Sequence, residues 1–137
     1  RRYMYRIMIG FTVSTIIFFA FPNGQDLRPL DFQGEGIFAH WVRLTYIVDT
    51  NTNVMPSVHV IGAVFMAQCY FDSPKLKKHR WLPPLAAIVA ALICYATLAV
   101  KQHSALDVVA GLALCVPVWF IVDVYIAKKM RARASQG

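Results

Sequence analysis

The placement of charge constrains this chain more than any other feature. Three stretches, Ile7–Gln25, Val54–Phe71 and Leu82–Val100, contain no Asp, Glu, Lys or Arg, and a fourth, Ser104–Ala127, carries only Asp107 near its start and Asp123 near its end. A helix rises 1.5 Å per residue, so roughly 20 apolar residues cross a bilayer core. The runs therefore predict an all-α, polytopic membrane bundle with four transmembrane helices, at about 5–21, 56–72, 83–101 and 104–127. Composition agrees: 58% of residues are hydrophobic and 15% charged, against about 45–50% and about 25% in soluble domains. An ordinary soluble domain and a disordered chain are both excluded. Residues 1–137 read as a single membrane-embedded domain. Between the first two spans lies a polar external segment, 22–55, in which Ile37, Phe38, Trp41, Leu44, Ile47 and Val48 recur at helical spacing. That pattern predicts a short amphipathic helix in the membrane interface, with Trp41 and Tyr46 at headgroup level.

The net charge of +7 is not spread as a nucleic-acid-binding face would be. Eleven of the fourteen Lys and Arg residues fall in three clusters: Arg1, Arg2 and Arg6; Lys75, Lys77, Lys78 and Arg80; and Lys128, Lys129, Arg131 and Arg133. With four spans all three clusters lie on one side, which the positive-inside rule makes cytoplasmic. Asp123 is expected to pair with Lys128 at that interface. The three cysteines, Cys69, Cys94 and Cys115, all lie inside apolar runs, where they read as packing residues rather than a disulfide framework. The chain begins with Arg and shows no signal-peptide cleavage pattern, as expected for the tail of a longer protein.

The same orientation gathers the unusual polar residues at the opposite, extracytoplasmic face. Ionisable groups at membrane depth are costly, and are usually functional or paired. His103 and Asp107 stand four apart and share a helical face. A carboxylate there can fix the imidazole tautomer and leave the other ring nitrogen nucleophilic, although a polar pair closing a helix start has the same spacing. His59 follows Pro56-Ser57 in the first turn of a helix, where free amides favour an anion and a histidine can protonate a leaving oxygen. An interfacial histidine would look the same. Arg28 and Lys101 read equally as phosphate clamps and as headgroup anchors. Asn51 and Asn53 are explained by turn formation.

Taken in order, Arg28-Pro29, Pro56-Ser57-Val58-His59 and His103-Ser104-Ala105-Leu106-Asp107 resemble the type 2 phosphatidic acid phosphatase superfamily, over roughly Phe21 to Gly111. The resemblance implies that His103 attacks phosphorus to form a phosphohistidine and that Asp107 orients it. It implies that His59 protonates the leaving alcohol, and that Arg28 and Ser57 hold the phosphoryl oxygens, with no metal or other cofactor. It also implies a bacterial cell-membrane protein lacking two leading helices of a six-helix fold.

Three positions depart from the family pattern. Phe21 stands for its first-motif Lys, Thr97 for its third-motif Arg, and Val58 for its second-motif Gly. Losing two cations weakens stabilisation of phosphoryl oxygens; Lys101 is placed to supply part of that charge. The expected function is a membrane lipid phosphatase acting on a lipid phosphate monoester. The first alternative is a headgroup phosphotransferase similar to the sphingomyelin and inositol phosphorylceramide synthases. The second is a non-enzymatic transport or assembly protein. The expected partners are a lipid phosphate and the membrane, not nucleic acid.

Overall fold

A computed structural model describes residues 2–29, 34–126 and 128. Arg1, Lys129, Arg131 and Arg133, counted above in the charge pattern, lie outside the described residues. The chain forms α1 (Arg2–Ala20), α2 (Ile37–Val48), α3 (Val58–Asp72), a single turn α4 (Pro74–Lys77), α5 (Leu82–Ala99) and α6 (Ala105–Trp119), the last running into a π-helical stretch, Phe120–Ile126. Pro117 lies inside α6 and has no amide to donate to the preceding turn, and the widened helix begins three residues later. Among the described residues no strand forms; Gly24 and Thr52 make one isolated bridge.

The helix α3 is the hub, packed against α1, α5 and α6. Val60, Ile61 and Phe65 are fully buried, as befits a helix apolar on every side. Small residues set the distances to its neighbours. On α1, a Cβ added at Gly10 would stand 2.9 Å from the Phe65 ring, and buried Ser14 returns its hydroxyl to the Gly10 carbonyl. Toward α5, Ala63 and Ala67 meet Ala86 and Ala90. These pairs, four residues apart, are the small-residue seams that let apolar helices approach closely in a membrane. On the third side Cys115, Val118 and Val122 close over Ile61 and Phe65. Cys115 is thus a packing residue, and Cys69 and Cys94 are half-buried free thiols.

Among the described residues three helices are long and apolar enough to cross a membrane: Arg2–Ala20, Leu82–Ala99 and Ala105–Tyr125. This is an integral-membrane helical bundle. The expected second span, 56–72, is instead a helix of 15 residues, about 22 Å long against a hydrocarbon core of about 30 Å. Ser57 caps its start, and Ser73, held extended ahead of Pro74, ends it.

The basic end differs from expectation in one pairing. Asp123 meets Arg6 (Nε to Oδ2, 2.8 Å) and Arg2 (3.4 Å) rather than Lys128, and Arg6 also pairs with Asp72. The Arg6 side chain is fully buried, so its charge needs both carboxylates. At the other end α2 leaves Ile37, Phe38, Trp41, Ile47 and Val48 exposed, an amphipathic helix as expected. Tyr46, however, is half-buried, and its hydroxyl donates to the Val100 carbonyl at 2.9 Å. It points into the protein rather than toward headgroups.

Candidate active site

The start of α3 is fixed by a clamp on the chain that precedes it. The Asn23 side chain accepts from the amides of Val54 and Met55, both at 2.8 Å, and donates to the Met55 carbonyl at 2.9 Å. Asn53 turns the chain through the left-handed region, with φ 55°. Ser57, fully buried, is the N-cap, its hydroxyl accepting from the Val60 amide at 3.4 Å. His59 is thereby set in the first turn of α3, on its exposed side.

His103 is positioned from the other direction, by the end of α5. The Lys101 amide bonds the Leu98 carbonyl and the Gln102 amide bonds Thr97, both at 3.0 Å. That is the Schellman pattern, and its left-handed position is filled by Lys101, at φ 53°, where glycine is usual. The His103 amide also reaches the Thr97 carbonyl, at 3.2 Å. Ser104 then caps α6 in a reciprocal box with Asp107: the Ser104 amide donates to Asp107 Oδ2 at 2.6 Å, and the Asp107 amide to Ser104 Oγ at 3.3 Å.

The two helix starts are joined directly, because the Ser57 amide donates to the Asp107 carbonyl at 3.2 Å. Gly111, one turn further along α6, makes this approach possible. A Cβ there would meet the Ser57 carbonyl at 3.0 Å and Val60 at 3.2 Å.

Within this frame three side chains fall in line. His103 Nε2 lies 3.2 Å from His59 Nδ1, and His103 Nδ1 lies 3.7 Å from Asp107 Oδ2. The imidazoles meet edge to face, with centroids 5.4 Å apart. His103 and Asp107 are buried while His59 is exposed, so the row runs from interior to surface. Burial first, and then the neighbouring His59, push the His103 imidazole below its ordinary pKa; Asp107 and Asp49 oppose the shift. His103 is therefore neutral at pH 7, with a lone pair on one ring nitrogen. A cavity of about 280 Å³ opens between Asn23–Leu27, Val54, Met55 and the start of α6, where Ser104, Leu106 and Asp107 line it.

Compared with known protein families, residues 25–131 match the PAP2 superfamily. The chain belongs to the PAP2 superfamily. No curated protein and no solved structure matches it.

Of the site residues expected from sequence, the PAP2 fold brings Ser57, His59, His103 and Asp107 together. Arg28 is engaged elsewhere: it donates to the carbonyls of Asp49 (2.5 Å), Tyr46 (3.3 Å) and Thr50 (3.4 Å), stacks 4.9 Å above the Tyr46 ring, and lies 3.6 Å from the Asp49 carboxylate. Lys101 is exposed two residues from His103 and makes no ion pair among the described residues. Phe21 is exposed and apolar, and buried Thr97 turns its hydroxyl back to the Cys94 carbonyl at 2.8 Å, so neither position supplies a cation to the site. Among the described residues no group of three or more His, Cys, Asp or Glu side chains is arranged to hold a metal. Sequence reasoning missed Asn23, Asp49 and Gln102. The only signal for them was their place in polar loops flanking the motifs.

Proposed function

We propose that the chain is a membrane lipid phosphatase that works through a phosphohistidine on His103. The observation that supports this best is the row Asp107, His103, His59, in which the two ring nitrogens of one buried imidazole face different partners. His103 Nε2 attacks phosphorus, forming a P–N bond as the P–O bond to the lipid alcohol breaks. His59 gives its proton to the leaving oxygen. Asp107 holds the Nδ1 proton of His103 and offsets the positive charge that the ring acquires. Water then attacks the phosphohistidine, its proton passing to His59, and inorganic phosphate leaves as His103 is regenerated. Ser57, the first amides of α3 and Lys101 receive the phosphoryl oxygens. The 3.7 Å gap to Asp107 is within the range that substrate closes in sites of this kind.

Under a four-span topology the described members of the basic clusters, Arg2, Arg6, Lys75, Lys77, Lys78, Arg80 and Lys128, fall on the side opposite the site, and the positive-inside rule then turns the site to the extracytoplasmic side. In that topology α3 is the short, protein-surrounded second span.

Phosphate release from phosphatidic acid by the solubilised protein, with His103→Ala as control, tests the reading. Release lost in the variant, blocked by vanadate and indifferent to chelators supports it; release unaffected by His103→Ala overturns it. One observation favours a second reading, headgroup transfer. With Arg28 turned to Asp49, and Phe21 and Thr97 apolar or buried, the site suits a phosphodiester carrying one charge. A phosphodiester donor converted to a new phospholipid without free phosphate would select that reading.

A further inference from the structure

The loop that carries His103 is held by more than its own turn. Gln25 donates its side-chain amide to the Gln102 carbonyl, and the Tyr46 hydroxyl donates to the Val100 carbonyl at 2.9 Å. Gln102, 8% exposed, gives its own side-chain amide to Asp49 Oδ2 at 2.9 Å. All three ties come from the external segment and end on Val100 or Gln102, around the strained Lys101 and next to His103. These partners are themselves fixed. Asp49 caps the C-terminal end of α2, and Arg28 gathers the carbonyls of Tyr46, Asp49 and Thr50 in one guanidinium.

We infer that Asp49, organised by Arg28 and assisted by Tyr46 and Gln25, is a positioning residue that holds the Val100–His103 loop in register for phosphoryl transfer. The inference rests on the reading of His103 as nucleophile. A non-glycine residue in the left-handed region costs about 1–2 kcal/mol, so the loop has a standing reason to relax. The brace opposes that. It also gives Arg28 a function in this chain that does not require contact with phosphate. Asp49 acts electrostatically as well. The ionisable groups around His103 are His59 from α3, Asp107 from α6 and Asp49 from the end of α2, with Lys101 two residues away and Arg28 paired to Asp49. Both carboxylates favour the imidazolium, whereas burial and His59 disfavour it.

Two substitutions in the full chain separate the two effects. Asp49→Asn keeps an acceptor oxygen for Gln102 and removes the charge; Asp49→Ala removes both. For phosphatidic acid hydrolysis, Asp49→Ala is expected to lower kcat by about tenfold or more with KM nearly unchanged, the signature of a misplaced reacting group. Asp49→Asn should recover most of kcat while the acid limb of the pH profile moves to lower pH, because the imidazole loses a neighbour that held its proton. Wild-type kcat and an unmoved pH profile in both variants would overturn the inference. If the wild-type protein itself releases no phosphate, the hydrolase reading fails instead. The brace is then read by NMR from the His103 ring signals. Measured with the ring neutral, they should move in Asp49→Ala and stay near wild type in Asp49→Asn, and unmoved signals in Asp49→Ala overturn it.

Discussion

Both ends of the bundle gather ionisable side chains from separate segments, and α3 and α6 contribute to each. At the basic end Arg6 from α1 meets Asp72 at the end of α3 and Asp123 beyond α6, with Arg2 completing the set. Opposite charges are matched there, and the fully buried guanidinium meets carboxylates on two segments. At the other end two imidazoles face each other, and His103 Nδ1 is buried with no hydrogen-bond partner. The carboxylate that should serve it is drawn to the Ser104 amide at 2.6 Å, leaving 3.7 Å to the ring. The difference separates two uses of buried polarity. A saturated cluster rests at its energy minimum and staples helices. An unsaturated one retains bonding capacity that a substrate can complete.

Substitutions at the two ends should break in different ways. The largest effect belongs to His103→Ala, which should lower phosphate release by at least about a thousandfold, as expected when a covalent nucleophile is removed. Its thermal stability should change little, since the ring makes no saturated network. Arg6→Ala should do the reverse: a loss of about 3–5 kcal/mol, because two carboxylates lose their buried partner. The folded fraction should keep its kcat, and denaturant unfolding together with activity per folded molecule checks this. Gly111→Ala lies between, costing about 1–3 kcal/mol by overpacking α6 against the start of α3. Because the contact is the Ser57 carbonyl, kcat should fall with it. The smallest effect is Lys101→Gly, which relieves the left-handed strain and should stabilise by about 1 kcal/mol. Any rise in KM in that variant measures what the Lys101 charge gives to phosphate binding.

The pH dependence sharpens the same contrast. His103 is held below its ordinary pKa, so the unfolded chain binds more protons than the folded one between the folded value and about 6.5. Stability should therefore decline as pH falls through that window, and the decline should be smaller in His103→Ala. For the same reason the acid limb of kcat/KM should lie below about pH 6.5.

Much of this arrangement was legible in the sequence, for local reasons. Runs without charge mark helices whatever their neighbours, and three of the four reach spanning length. The short motifs place His59 behind a Ser cap and Asp107 three residues after Ser104, so the helix starts that carry them could be read directly. What stayed hidden depends on pairing across the fold. Arg6 looked like a flanking charge until Asp72 and Asp123 were brought to it from 66 and 117 residues away. Arg28 looked like a clamp because its competitors, the carbonyls at the end of α2, carry no sequence signature. Asn23 and Asp49 are ordinary loop residues until the loop is folded. The second expected span was read two residues too long, 56–72 against Val58–Asp72, because absence of charge marks an apolar run and not the residue at which its helix begins.

The central claim is that His103 carries the phosphoryl group. Its most direct test is to quench the protein during turnover of a lipid phosphate labelled with radioactive phosphorus and locate the label by peptide mapping. The account predicts an acid-labile, base-stable label on the peptide containing His103, absent in His103→Ala and accumulating in His59→Ala when the leaving group is activated enough to need no proton. Turnover with no covalent label, or a label on any other residue, would contradict it.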